Sequence, residues 1–288
     1  MMYNNSRLDR RTVLRTAAGL SCGAIAGCLG DDNEATTRTP ADGDATPPGQ
    51  DTLERVAVDG TTLVVELTGD AEVDWVNLIW PNGELFGRRD VPAGVQQVSF
   101  ELGTSYDPGE YQLLALQGEE TVVETSLEIR PNLEIVAMGV GRNQPKKMWD
   151  GATEEIADEA FVTVKNSGTG PDGITKLLFL GDVPYPSDEN GTNYANVDRV
   201  SGIYDPSRDE EISNVAVGPK QEVTIYSSRT PFAFVPGGGV SCKGEMQSGE
   251  FEVVLKTGVA SSPISTAYSI QYSASEQFDE CEITISEE

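Results

Sequence analysis

The chain has 288 residues, 47 acidic against 20 basic, and a formal net charge of −27. It contains no histidine, which excludes a Ser-His-Asp triad, a His-ligated zinc site and a type-1 copper site. No basic patch stands ready to neutralise phosphates, so nucleic acid is not expected as a partner. No motif for a cofactor or a metal is present, so neither is expected.

The first element is a short export-type segment. Arg7, Arg10, Arg11 and Arg15 precede an apolar, small-residue run from Thr16 to Gly27. That run falls short of the roughly 20 apolar residues a spanning helix needs. A positive start, a short apolar stretch and a small-residue processing site are the parts of a secretory signal. Asp9-Arg10-Arg11-Thr12-Val13-Leu14 resembles a twin-arginine export signal, and Ile25-Ala26-Gly27-Cys28 resembles a lipoprotein box. The resemblance implies removal of residues 1–27, lipid on Cys28, and a mature chain on the extracellular face of the cytoplasmic membrane. An ordinary signal with incidental arginines is the alternative, and Cys22 fits the box less well. Two lipid chains on Cys28 suffice as an anchor, where one holds only marginally.

The signal carries a net +3, so its loss moves the charge from −27 to −30. Self-repulsion of this size destabilises a compact state in dilute buffer. At molar salt the screening length falls to about 3 Å. Since 38% of residues are hydrophobic and alternate in strand-like runs, the chain is not an acidic disordered protein. Acidity on a folding chain, with this signal type, resembles the secreted proteins of halophilic archaea.

Residues 28–52 form an expected disordered tether, rich in Asp, Thr and Pro. Residues 53–131 read as a small all-β domain. Thr61 to Leu67, Val73 to Trp80, Val95 to Leu102, Gly109 to Gln117 and Thr121 to Arg130 are β-rich runs between Gly, Asn and Pro turns. Tyr106-Asp107-Pro108-Gly109-Glu110-Tyr111 resembles the late-strand signature of immunoglobulin-like and fibronectin type III domains. The resemblance implies that Tyr111 makes a corner by hydrogen-bonding back to the chain.

Residues 132–288 read as a second, larger β domain, with a long insertion at 181–214. Phe251/Val253/Leu255, Tyr268/Ile270/Tyr272 and Cys281/Ile283/Ile285 alternate cleanly with polar residues. The strand ending Asn166-Ser167-Gly168, and Gly218-Pro219-Lys220 leading into Val223-Thr224-Ile225, resemble the CARDB family of immunoglobulin-like modules. The resemblance covers about half of this domain and implies fold more than function. The expected fold class is therefore all-β: two immunoglobulin-like β-sandwiches after a signal peptide and a disordered linker.

Several residues are candidates for a site. Cys242 and Cys281 are expected to form a disulfide in the oxidising exterior, worth roughly 4 kcal/mol in the chain-entropy picture; two buried thiols are the alternative. Asn190-Gly191-Thr192 is an N-glycosylation acceptor pattern, with Asn190 on a surface loop. The insertion also holds Tyr185, Tyr194 and Tyr204 among acids and amides. Sugar or Ca²⁺ binding is one reading, and a solvated loop is the favoured one. Arg142 to Trp149 is a compact basic-aromatic stretch that either docks an acidic partner or caps the sandwich with its Trp. Glu154-Glu155, Asp158-Glu159 and Asp209-Glu210-Glu211 read as surface solvation rather than acid–base pairs. The glycine loop at 235–239 lacks the Lys and Ser/Thr of a phosphate loop and reads as a turn.

These observations converge on a non-catalytic, lipid-anchored surface protein serving envelope structure or recognition. The expected partners are the membrane, through Cys28, and an envelope or surface-layer protein or glycan. A solute-binding or transport-accessory lipoprotein is the second reading, and a carboxylate-based glycoside hydrolase the third.

Overall fold

The computed structural model describes residues 52–150, 154–234, 245–274 and 281–287. Arg10, Arg11, Cys28, the tether, the glycine loop at 235–239 and Cys242 lie outside them. The described chain is all β, with only single 3-10 turns between strands. No helix among the described residues is long and apolar enough to cross a membrane.

Seven strands build the first sandwich. β1 (Leu53–Asp59), β2 (Thr62–Leu67) and β5 (Gln97–Glu101) make one sheet in the order β1-β2-β5. β4 (Leu85–Asp90), β3 (Trp75–Ile79), β6 (Gly109–Gln117) and β7 (Glu120–Ile129) make the other, in that order. Every pairing is antiparallel. Leu63, Val65 and Leu67 on β2 face Tyr111, Leu113 and Ala115 on β6, each at a period of two. β1 and β4 leave little trace in the sequence, because both are edge strands, mostly half-buried or exposed and without alternation to read. The Tyr111 hydroxyl donates to the Asp107 carbonyl at 2.8 Å, so the expected corner is present.

The second sandwich repeats that wiring with additions. One sheet holds β8 (Leu133–Val140), β9 (Ala160–Asn166) and β14 (Glu222–Ser227). The other holds β13 (Val215–Val217), β10 (Asp172–Gly181), β15 (Gln247–Thr257) and β16 (Ile264–Ala274). Taken in chain order, these seven strands pair as the first seven do. The insertion adds β11 (Ile203–Asp205) and β12 (Glu210–Glu211) beyond β14, and β17 (Cys281–Glu287) adds to β16.

The insertion corrects the expectation of a solvated loop. Val183, Ser187, Tyr194, Ser201 and Ile203 are all buried in it. Its two short strands continue a sheet, so the backbone polar groups of β11 and β12 find partners in the ladder rather than in water.

Asn166 shows why the Asn-x-Gly ending matters. Its buried amide nitrogen donates to the carbonyls of Gly170 (2.8 Å) and Val217 (3.1 Å). Its oxygen accepts from the backbone N–H groups of Asn132 (3.1 Å) and Gly168 (2.9 Å). One side chain thus ties the entry to β8, the turn after β9 and the end of β13.

The two sandwiches join through short contacts rather than a free linker. The Tyr106 hydroxyl donates to the Pro171 carbonyl at 2.9 Å, and the Asn214 amide to the Thr104 hydroxyl at 2.9 Å. Asp172, fully buried, accepts backbone N–H bonds from Gly173, Gly258, Val259 and Ala260. Val259 in turn packs on the first sandwich's core. Gly170 lies against the Tyr106 hydroxyl and Gly258 against the Thr104 carbonyl, with no room for a Cβ at either.

Candidate functional site

Two features singled out separately along the sequence meet at one corner. Tyr204 on β11 lies directly opposite Tyr226 on β14, and Tyr226 opposite Phe161 on β9. Ile203, Ile225 and Val162 beside them point into the main core, so alternation turns these three rings to the outer face. Trp149, from the basic-aromatic stretch, packs on both tyrosines, with ring centroids 5.0 Å from Tyr204 and 5.1 Å from Tyr226. Met148, Ile156 and Phe161 seal the underside of this satellite cluster. Trp149, Tyr204 and Tyr226 themselves remain half-buried and reach solvent.

Acidic groups surround the rings. The Tyr204 hydroxyl donates to Asp209 at 2.7 Å, and Asp209 takes a left-handed backbone, with φ 56°, to present its carboxylate. That hydrogen bond, then desolvation and the charges of Asp209, Glu159 and Asp205, push the Tyr204 pKa up to about 12. Glu159 sits between a 3-10 turn and β9. Its Oε2 is buried with no hydrogen-bond partner among the described residues. Desolvation pushes its pKa up to about 7. A carboxyl at that value exchanges its proton near neutrality, whereas a solvated glutamate does not.

Several expectations change here. Asp158 and Glu159 are not a solvated pair: Asp158 engages Arg142, and Glu159 is desolvated. Glu211 is not surface solvation either, since it accepts from the Ser201 N–H (2.9 Å) and the Ser228 hydroxyl (2.6 Å). Arg142 is turned inward, donating to Asp158 and to the Cys281 carbonyl (2.7 Å). Of the basic stretch, Lys146 and Lys147 stay exposed. The three tyrosines of the insertion do not gather. Tyr194 is buried and donates to the Leu177 carbonyl at 2.7 Å, Tyr185 lies half-buried elsewhere, and only Tyr204 joins the corner. Asp188 accepts the Asn190 N–H in a local turn, and among the described residues no group of three His, Cys, Asp or Glu side chains gathers.

Asn190 is exposed on a turn, accessible as its acceptor pattern requires. Cys281 is buried at the start of β17, facing inward as the alternation implied. Glu159 stands out in the sequence only as half of an acidic pair read as surface solvation; its desolvation comes from chain folded over it. Tyr226 was missed, although alternation signals it: with Ile225 inward, the next residue must face out.

The sequence matches no protein-family model and no curated protein. Among solved structures, it is similar to a two-domain fibronectin type III segment of chicken tenascin, at 12% identity and TM-score 0.26, over 83% of this chain and 100% of that one. It is also similar to a β-glucuronidase of glycoside hydrolase family 2, at 12% identity and TM-score 0.22, over 75% of this chain. A third is the human OSCAR ligand-binding domain, at 10% identity and TM-score 0.20, over 80% of this chain and 92% of that one. The chain spans 20% of the glucuronidase's length. Overlaps of this quality carry no functional argument.

Proposed function

We propose that this chain is a non-catalytic, lipid-anchored surface protein of a halophile, whose aromatic corner recognises a glycan of the cell envelope. The observation that carries the reading is the outward-facing Trp149–Tyr204–Tyr226 cluster ringed by carboxylates. Aromatic faces receive the C–H face of a sugar ring, while carboxylates accept its hydroxyl protons. The close-set junction between the sandwiches supports a stiff display unit. An all-β fold does not provide the two α/β lobes of a solute-binding protein.

The test is binding of the mature protein to isolated envelope glycan, compared with Trp149→Ala. Saturable binding that Trp149→Ala lowers at least tenfold supports the reading. Equal binding by both proteins, or none, overturns it.

One observation favours a second reading. A carboxyl held near 7 beside an aromatic surface is what a glycosidase general acid requires. Turnover of chromogenic glycosides that Glu159→Gln abolishes would establish it. Glycan binding without turnover, retained in Glu159→Gln, favours recognition alone.

A further inference from the structure

A second site candidate lies away from the aromatic corner and does not depend on it. Lys176 on β10 is the direct cross-strand partner of Lys256 on β15. Like charges in that relation repel. The repulsion is hard to account for in a chain with 47 acids and 20 bases, where a carboxylate partner is easily supplied.

Lys176 is explained by the insertion that crosses this face. Its ammonium, buried, donates to the carbonyls of Tyr194 (3.3 Å), Ala195 (3.3 Å) and Val197 (2.9 Å). Those three bonds use all three of its protons. It therefore fastens the insertion and leaves a fixed positive charge under the surface. Burial, then Lys256, lowers its pKa, while Asp198 and Glu211 act in the opposite sense.

Lys256 has no such explanation. It borders a cleft of about 210 Å³ with Arg199, Ser201, Ser213 and Thr175. Among the described residues, neither the Lys256 ammonium nor the Arg199 guanidinium meets a carboxylate within ion-pair distance. Asp198 is the one acid on the lining, against Lys176, Lys256 and Arg199, so the cleft is cationic in a strongly anionic molecule. Its volume lies below the roughly 300 Å³ at which drug-sized ligand pockets begin. A small ion of two charges fits both the volume and the excess cation.

We propose that this cleft binds a tetrahedral oxyanion, phosphate or sulfate, between Lys256 and Arg199, with the Ser213 hydroxyl as a further donor. The guanidinium fork offers paired N–H donors to two oxyanion oxygens, and the ammonium a mobile third contact. A bound dianion would also relieve the Lys176–Lys256 repulsion, which gives the site a signature that a structural role for Lys256 lacks.

The test uses the mature protein in KCl at constant ionic strength, titrated with potassium phosphate or sulfate and read by amide NMR shifts. Shifts at Thr175, Arg199, Ser213 and Lys256 should saturate along one binding curve. Lys256→Gln and Arg199→Gln should each raise the dissociation constant at least about tenfold, as loss of a charge-assisted hydrogen bond does. In KCl alone, Lys256→Gln should melt no lower than wild type, because it removes repulsion. With saturating phosphate the wild type should melt higher. Glycerol phosphate, run in parallel, separates the sources: tighter binding than inorganic phosphate identifies the terminal group of a larger ligand, and equal binding identifies the free ion. Wild-type shifts that rise without saturating, or binding unchanged in both variants, would overturn the proposal.

Discussion

Replacing Glu159 with glutamine should change how stability depends on pH. The carboxyl titrates at about 7 in the folded protein, against 4.5 for an ordinary glutamate. The folded state therefore holds a proton there that the unfolded chain releases. Because the folded pKa lies above the unfolded one, the group's favourable contribution is complete below about pH 4.5 and is lost as pH rises towards 7. A fully sealed carboxyl displaced this far would cost about 3 kcal/mol at alkaline pH. Glu159 is only half-buried, and screening by the water that reaches it reduces the figure to on the order of 1–2 kcal/mol. Glu159→Gln carries no charge to desolvate. Its stability should equal that of wild type near pH 4.5 and exceed it by that amount near pH 8. For a protein of this size the gain corresponds to a few degrees in the melting midpoint. The carboxyls of Glu101, Asp205 and Glu211 are lowered, so their contribution is lost only as pH falls below the ordinary carboxylate range and does not overlap this window. Circular-dichroism melts in molar KCl across pH 4.5 to 8 measure the difference. Parallel curves for the two proteins would refute the desolvated carboxyl.

Asn166→Ala should cost about 2–4 kcal/mol, because it strands two buried carbonyls and two N–H groups. The loss should appear as a lower urea midpoint at unchanged slope, and a cost under about 1 kcal/mol would show that water replaces the amide. Non-reducing peptide mapping of exported protein should return Cys242 linked to Cys281; two alkylatable thiols would exclude the bridge. The melting midpoint should climb steeply with KCl until about 1 M, where screening is nearly complete, and thereafter follow the salting-out strength of the anion. A midpoint indifferent to salt would remove the halophile inference.

The parts of the fold legible in the sequence are those with one wet and one dry face. β6 alternates from Gly109 to Ala115, and β16 and β17 do the same, so their faces followed from period two alone; β15 departs from it at Val254, which is buried on the opposite face with Leu178 and Tyr194. The corner at Tyr111 followed from local spacing. Edge strands β1 and β4 escaped because half-buried residues lack a strong pattern. The insertion was misjudged for a different reason: its polarity is real, but Lys176 and Tyr194 reach backbone carbonyls distant in sequence and pin it to the sandwich. The candidate site divided in the same way. Trp149 and Tyr204 each stood out by residue type, yet nothing local shows that residues 55 positions apart share a surface. Glu159 reads in the sequence as half of a solvated acidic pair, because desolvation is a property of packed chain.

The proposed function rests on display outside the membrane through lipid attached to Cys28. The most direct measurement is the intact mass and N-terminal peptide of protein extracted from the membrane fraction. The expected result is a chain beginning at Cys28, heavier than its sequence by a lipid of two chains, and shifted to the soluble fraction in Cys28→Ser. A chain that retains residues 1–27 in the cytoplasm, or a mature terminus at any residue other than Cys28, would contradict it.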